Sequence, residues 1–344
     1  MLIKSWQFEN ENFGALQEYI EDEQVTDINY DGEHVWIDHL LHGKYMSKVI
    51  LDPVFVTRFC TRLSNLVSQN FNKSDNVLEA ETENLRISVI HESVTNNGTT
   101  ISIRKTPLSC RLTKEKMLVN QYCSLEVLMF LVDCIRAHLN IVFCGLPGSG
   151  KTELLKYLTQ FIPSEEKVMT IEDTLELHYR SINPGHHCVE VKVNADTMTY
   201  TKAIKVALRQ NTEWILLSEA RSKEVKYLLE SLSTGLHGLT TLHTDDVRKI
   251  PDRVLNMMQN QYSESKRNDI YSFIQVGVLI RKRVLSNNQI HRYIDQICVF
   301  DRQNNENTCT MIVDQTRVLK YELPVNLKNK FMLYGVSVKG LHDT

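Results

Sequence analysis

Two kinds of hydrophobic pattern occur along this chain. Apolar and polar residues alternate at 85–89 and 101–103, which is typical of strands with one buried face. Continuous apolar runs occur at 141–144 and 214–217, which is typical of strands buried on both faces in a parallel sheet. The patterns predict an α/β protein with three parts: an α+β domain over 1–108, a linker over 109–122 and a larger α/β domain over 123–344.

Other elements follow from periodicity and punctuation. Apolar spacing predicts helices over 11–23, 55–71 and 124–137, the last with Ser124 as a possible N-cap. A strand and turn are expected over 25–32, with a second strand over 34–38. A hairpin is expected from 276–281 and 290–300. The last forty residues suggest short strands, to which we assign no chemistry.

The run 140–152, Asn-Ile-Val-Phe-Cys-Gly-Leu-Pro-Gly-Ser-Gly-Lys-Thr, joins an apolar strand to a helix through a glycine-rich turn. It matches the phosphate-binding pattern Gly-x-x-x-x-Gly-Lys-Thr, in which backbone N–H groups and a helix N-terminus surround phosphate oxygens. Lys151 would reach the terminal phosphates and Thr152 would bind Mg²⁺. The helix is expected to continue until Pro163. The predicted cradle for ATP is Gly145, Pro147, Gly148, Ser149, Gly150, Lys151, Thr152 and Glu153.

Further candidates lie at the ends of later apolar segments. Glu172 ends the strand that starts at 167, and Glu219 follows the run 214–217. The carboxyl ends of parallel strands line the crevice where open α/β sheets bind ligands. We expect Glu172 to polarise the attacking water, with Asp173 as a cap of the next turn. Glu219 is at the Walker-B position, where an acid holds Mg²⁺ through water or orients the nucleophile; the alternative is a cap of the following helix.

A histidine and two arginines complete the candidates. His243 alone would be a core or capping residue, but downstream of a Walker-B strand it can sense or stabilise a γ-phosphate. For the apolar residues of 85–89 and 101–103 to share one face, the turn at 96–98 must be a three-residue loop rather than a two-residue one. That register places Arg86 and Arg104 on the same polar face. Paired arginines there are usually solvated, but these directly precede the nucleotide domain.

Composition restricts the partners. The net charge is −3, from 39 Lys plus Arg and 42 Asp plus Glu, which gives no global field for nucleic acid, so we expect no direct nucleic-acid binding. The basic cluster 281–283 is interpreted as a solvated turn. The eight cysteines lack zinc-ligand spacing and indicate a reducing cytosol. We find no signal segment or membrane-spanning run. We therefore expect a cytoplasmic protein that associates with the membrane through partners.

The ordered motifs resemble those of the secretion ATPases of type II and type IV secretion, conjugation and type IV pili, most closely the VirB11-like branch. The resemblance covers roughly residues 20 to 300. It is carried by 102–105 at the end of the first domain, 145–152 as phosphate loop, 170–174 as Asp box, 217–221 as Walker B and 238–245 as His box.

The resemblance implies a PAS-like N-terminal domain joined to a RecA-like P-loop ATPase domain, six subunits in a ring, and nucleotide bound between the two domains. By position it implies that Lys151 and Thr152 bind phosphate and Mg²⁺, Glu172 and Glu219 serve the metal and the water, His243 acts near the γ-phosphate, and Arg104 and Arg86 reach the nucleotide.

The leading hypothesis is a homo-hexameric ATPase that uses ATP and Mg²⁺ to drive a membrane-embedded secretion or conjugation machine. The alternatives are a pilus-retraction or competence-pilus ATPase, and a nucleotide-gated docking switch with little hydrolysis. The switch is motivated by Ser218, where the family usually has Gly, and by 221–224, which lacks the usual small residues after the arginine. A DNA translocase is disfavoured by the weak net charge. The missing paired-cysteine zinc module favours the VirB11-like branch.

Overall fold

The computed structural model describes residues 2–3 and 10–337, apart from 195, 221–223, 259–262 and 321. The chain folds into two units, each with its own buried apolar residues. Unit 1 is Met1–Leu108 with Val284–Ile290, and unit 2 is Ser109–Arg283 with His291–Thr344. Within the segment 109–122, which we expected to be a linker, the structure has a helix at Lys114–Val119. Met117 and Tyr122 bury their side chains in the core of unit 2.

Unit 1 contains a mostly antiparallel sheet packed against helices. Its strand order is β1-β5-β6-β7-β2-β3-β4. The elements are β1 (Leu2–Ile3), α1 (Asn10–Phe13), α2 (Gln17–Glu21), β2 (Val25–Tyr30), β3 (Val35–His39), β4 (Gly43–Met46), α3 (Pro53–Val67), β5 (Val77–Thr82), β6 (Leu85–Ile90) and β7 (Thr100–Lys105).

The helices of unit 1 follow their local sequence signals. Asp52 caps α3, its side chain accepting a hydrogen bond from the backbone N–H of Val54 at 3.0 Å, and proline occupies the first turn. The helix expected over 55–71 ends at Val67, where Ser68 takes a left-handed conformation. The helix expected over 11–23 is interrupted, because Gly14 has a φ of +51° and a Cβ there would lie 2.6 Å from the Phe55 ring.

The register predicted for the hairpin that carries Arg86 and Arg104 is confirmed, but the predicted loop length of three residues is wrong. Ile87 pairs with Ile103, and Arg86 lies directly opposite Arg104. The strands are joined by residues 91–99, which include a 3₁₀ turn at Glu92–Val94, instead of a three-residue loop. The buried apolar face sets the parity of the pairing, and any odd loop length satisfies that parity.

Unit 2 is an α/β unit with helices on both faces of its sheet. Its strand order is β10-β9-β11-β12-β8-β13-β14-β15-β16. The elements are α4 (Lys114–Val119), α5 (Leu125–Arg136), β8 (Ile141–Cys144), α6 (Lys151–Thr159), β9 (Val168–Glu172), α7 (Tyr179–Ile182), β10 (Cys188–Lys192), α8 (Tyr200–Ala207), β11 (Trp214–Leu217), α9 (Glu224–Ser233), β12 (His237–Leu242), α10 (Ile250–Met257), α11 (Glu264–Phe273), β13 (Val276–Val284), β14 (Ile290–Gln303), β15 (Glu306–Asp314), β16 (Arg317–Val318) and α12 (Val325–Leu333).

Most elements predicted for unit 2 are confirmed. The continuous apolar runs form β8 and β11 with the expected bounds, and Ser124 caps α5. Three expectations need correction. Helix α6 ends at Thr159, before Pro163. The basic cluster 281–283 lies inside β13 and not in a turn. The last forty residues contain the helix α12 as well as strands.

Among the helices in the described part of the chain, none combines the length and the apolar content that crossing a lipid bilayer requires.

Candidate nucleotide site

The strand order of unit 2 gathers the candidate residues at one edge of the sheet. Strands β9, β11, β12 and β8 are neighbours and run parallel, so their carboxyl ends lie side by side. These ends carry, in the same order, Glu172, Glu219, His243 and the loop that leads to Lys151. Because β12 lies between β8 and β11, it places His243 between the loop and Glu219.

The glycines of the phosphate loop are required by its geometry. Gly148 and Gly150 have φ values of +72° and +96°, a region that L side chains rarely adopt. A Cβ on Gly145 would lie 2.3 Å from the carbonyl oxygen of Ile280 and 2.7 Å from the hydroxyl of Ser149. The loop backbone therefore packs directly on β13, and the buried hydroxyl of Ser149 has no partner among the described residues. Such a backbone cradle fits phosphate oxygens.

Lys151 is almost fully buried and points back into the loop. Its Nζ donates to the carbonyl oxygens of Gly145 at 3.0 Å and Leu146 at 3.4 Å. Burial lowers the pKa of Lys151, and the charges of Glu219 and Glu176 oppose that change. The ammonium group is thus held where negative charge would stabilise it.

His243 links Lys151 to Glu219. Its Nδ1 lies 3.3 Å from Lys151 Nζ and 3.1 Å from the carbonyl oxygen of Gly145, and its Nε2 lies 3.0 Å from Glu219 Oε1. Nε2 can donate to Glu219, and Nδ1 lies within hydrogen-bond distance of both the Lys151 ammonium and the Gly145 carbonyl oxygen, accepting from the first or donating to the second according to the tautomer. The three side chains therefore form one continuous hydrogen-bonded chain beside the phosphate loop.

Glu172 has different surroundings from those expected of a group that activates water. The residue is fully buried, and its Oε2 accepts from the backbone N–H groups of Glu176 at 2.9 Å and Leu177 at 3.0 Å. Burial raises the pKa of Glu172 to about 8. Glu172 therefore caps the turn at 176–177, while Asp173 Oδ1 accepts from the backbone N–H of Thr174 at 2.9 Å. The expected role of Glu172 towards the attacking water stays a prediction.

The side chain of Glu153 points away from the phosphate loop in its contacts, and its expected place in the cradle stays a prediction. Its Oε2 accepts from the backbone N–H of Arg111 at 2.9 Å, and its Oε1 lies 3.6 Å from Lys156 Nζ. The carboxylate is therefore engaged by the start of unit 2 and by the next turn of α6. This contact could not be read from the motif, because Arg111 is distant in sequence.

The remaining predicted residues lie as follows. Pro147 is exposed at the loop, and Thr152 is half-buried in the first turn of α6. A hydroxyl at Thr152 and a carboxylate at Glu219 supply the hard oxygen ligands that Mg²⁺ prefers, so the residues fit this ion. Arg221, which we expected to follow Walker B, lies outside the described residues.

Arg86 and Arg104 belong to unit 1. Arg104 is more than half exposed, and its Nε lies 2.8 Å from Asp27 Oδ1 on the neighbouring strand β2. Their expected role at a nucleotide stays a prediction.

The strand order and the glycine loop together define a RecA-like P-loop fold. Residues 72–335 match the family model described as Type II/IV secretion system protein. An uncharacterized protein of Bacillus anthracis is 25% identical over 88% of this chain and 70% of its own length. The type IV secretion system protein VirB11 of Brucella suis is 26% identical over 73% of this chain and 78% of its own length.

Among solved structures, the ATPase DotB of Legionella pneumophila superposes with a TM-score of 0.63 over 87% of this chain and 84% of its own, at 17% identity, which shows the fold alone. The chain belongs to the type II/IV secretion system protein family. The expected membership in the secretion ATPase superfamily, VirB11-like branch, is confirmed.

Proposed function

We propose that this chain is an ATPase that assembles as a homo-hexamer and powers a type IV secretion or conjugation machine through partner proteins at the cytoplasmic face of the membrane. The observation that carries the proposal is the continuous contact from Lys151 through His243 to Glu219 at the phosphate loop. The similarity to the type IV secretion system protein VirB11 supports the assignment to secretion.

In this proposal Lys151 exchanges two loop carbonyl partners for the terminal phosphates of ATP. The N–H groups of the loop and the start of α6 bind the remaining phosphate oxygens. With a proton on each ring nitrogen, His243 would then donate from Nδ1 to the γ-phosphate and from Nε2 to Glu219, which keeps the ring oriented and aligns the attacking water. Mg²⁺, which Thr152 and Glu219 would hold, partly through water, supplies compensation for the phosphate charge.

The test is phosphate release from ATP with Mg²⁺ by the purified full-length chain. We expect Lys151→Ala to reduce turnover by about a hundredfold or more, because it removes a charge that positions the transferring phosphate. Lys114→Ala, at an exposed position on α4, is the matched loss of a lysine and should leave turnover unchanged. Equal turnover of Lys151→Ala and wild type would reject the proposal. ATP binding without release of phosphate by the wild type would favour the docking switch.

The proposal includes the expectation that Arg104 of unit 1 reaches the nucleotide and promotes hydrolysis. Arg104→Gln should lower turnover, whereas Asp27→Asn, which removes the same ion pair but leaves the arginine, should not. If both variants match the wild type, Arg104 has no role in hydrolysis.

A further inference from the structure

Two cationic side chains from outside every sequence motif lie against the phosphate loop. Arg292, on β14, donates from Nε to the carbonyl oxygen of Gly148 at 3.1 Å. A Cβ added to Gly148 would lie 3.1 Å from Nζ of Lys282, on β13, and one added to Gly150 would lie 3.6 Å from Cδ of Arg292. Both strands of this hairpin therefore contribute a positive side chain to the same segment of the loop.

The contact of Arg292 orients a peptide group. Across a trans peptide bond, the carbonyl of Gly148 and the N–H of Ser149 point in opposite directions. With the carbonyl held by Arg292, the N–H of Ser149 points across the loop, where it donates to the carbonyl oxygen of Leu146 at 3.2 Å. A hydrogen bond from a guanidinium is roughly twice as strong as one between neutral groups. The contact of Arg292 therefore supports the orientation in which this N–H closes the turn from Leu146 to Ser149 within the loop.

The electrostatic surroundings of Arg292 point in the same direction. Arg292 is half-buried, and burial, together with the charge of Arg111, lowers its pKa. A cation withdrawn from water in this way is stabilised by a nearby anion. A phosphate group in the loop is such an anion.

We propose that Arg292 and Lys282 are positioning residues for nucleotide phosphates. Arg292 sets the orientation of the Gly148–Ser149 peptide, and Lys282 adds positive charge at the same segment of the loop. This inference rests on the proposed ATPase function and extends it to a hairpin that follows the recognised motifs in sequence.

The test compares four variants of the full-length chain in steady-state ATP hydrolysis, ADP calorimetry and thermal melting. Arg292→Gln should raise KM for ATP and Kd for ADP about tenfold, with kcat changed less than about threefold, because it removes binding common to ground and transition states. Arg292→Lys should recover part of the loss. Lys282→Gln should have a smaller effect, about threefold, which fades at high salt. Arg283→Gln is the control, since that guanidinium lies over the ring of Tyr293 instead.

The outcomes separate this inference from the function on which it rests. A wild type that neither binds ADP nor hydrolyses ATP overturns both. An active wild type with unchanged KM and Kd in Arg292→Gln overturns the inference alone, as does a lower melting temperature without a change in KM. If Arg292→Gln does not fold, unchanged affinity in both Arg292→Lys and Lys282→Gln is the contradicting result.

Discussion

Two histidine–glutamate pairs lie at opposite ends of the sheet in unit 2. His243 and Glu219 meet at 3.0 Å beyond the carboxyl ends of β12 and β11. His138 and Glu166 meet at 2.8 Å near the amino end of β11. The side chain of His243 is 38% exposed and that of His138 is 9% exposed.

The second partner of each histidine separates the two pairs. The ring of His138 stacks on Tyr334 with centroids 4.0 Å apart, and on Trp214 at 5.5 Å. Glu166 also accepts from Trp214 Nε1 at 2.6 Å. This pair is enclosed by aromatic rings and joins elements together. His243 instead contacts Lys151 of the phosphate loop. The same combination of residue types, histidine and glutamate, thus contributes to packing at the amino ends of the strands (the amino edge). In our proposal it contributes to catalysis at their carboxyl ends (the carboxyl edge).

The largest expected difference is between the two glutamates. Glu219→Gln should reduce ATP turnover by about a hundredfold while ADP still binds, since the amide cannot serve the metal or the water as a carboxylate does. Glu166→Gln should keep turnover within about twofold and lower the melting temperature. Phosphate release and calorimetric scans measure both. Similar losses of turnover in the two variants would remove the distinction between the edges.

The histidines should differ in the same direction. His243→Asn should slow turnover by at least about tenfold. The imidazole contacts Lys151 and Glu219 through its two ring nitrogens, whereas the shorter asparagine side chain has a single nitrogen and cannot replace both contacts. Asparagine is also the matched change at His138, which has a φ of +57° that asparagine tolerates. His138→Asn should cost about 1–2 kcal/mol of stability through lost ring contacts, with turnover retained. Urea unfolding measures the stability of both variants, and phosphate release measures their turnover. A loss of turnover in His138→Asn with full turnover in His243→Asn would contradict the assignment.

The ionisation of Glu172, at the carboxyl end of β9, should make the stability of the folded chain depend on pH. Its folded pKa of about 8 lies above the ordinary carboxyl value, so its contribution is fully present at low pH and is lost as pH rises towards about 8. Each tenfold difference in proton affinity between the folded and unfolded chains corresponds to about 1.4 kcal/mol of stability. Glu172→Gln resembles the protonated carboxyl at every pH. Its melting temperature should exceed that of the wild type increasingly from about pH 5 to about pH 8. Parallel curves for the two proteins would contradict this.

The amino edge should show the opposite dependence. Burial, with the charges of His138 and Lys330, lowers the pKa of His237 to about 3. A depressed histidine pKa contributes stability above the ordinary histidine range, and this is lost as pH falls through that range. Between about pH 7 and about pH 4, the wild type should lose more melting temperature than His237→Phe. An equal loss of melting temperature in the wild type and in His237→Phe would show that protonation of His237 does not destabilise the folded state.

Much of the carboxyl edge could be predicted from sequence because its signals are local. The glycine loop is a contiguous motif, and continuous apolar runs located β8 and β11. Alternation gave the register that sets Arg86 opposite Arg104. The length of the loop between β6 and β7 could not be predicted, because the parity of the strand pairing allows any odd number of loop residues.

The parts that sequence reasoning missed depend on contacts between distant segments. Glu153 directly follows the phosphate-loop motif and Glu172 ends a strand, but backbone N–H groups of Arg111 and of the 176–177 turn engage their carboxylates. Arg292 reaches the loop from a hairpin more than a hundred residues away. No spacing rule connects such residues, because only the tertiary fold brings them together.

The most direct measurement of the central claim is a double-mutant cycle on His243→Asn and Glu219→Gln, read as the rate of ATP turnover. If the histidine and the glutamate act as one unit at the phosphate loop, the combined variant should be no more than about twofold slower than the slower single variant. If the two losses multiply, the residues act independently, and the account of the carboxyl edge as a single catalytic unit is contradicted.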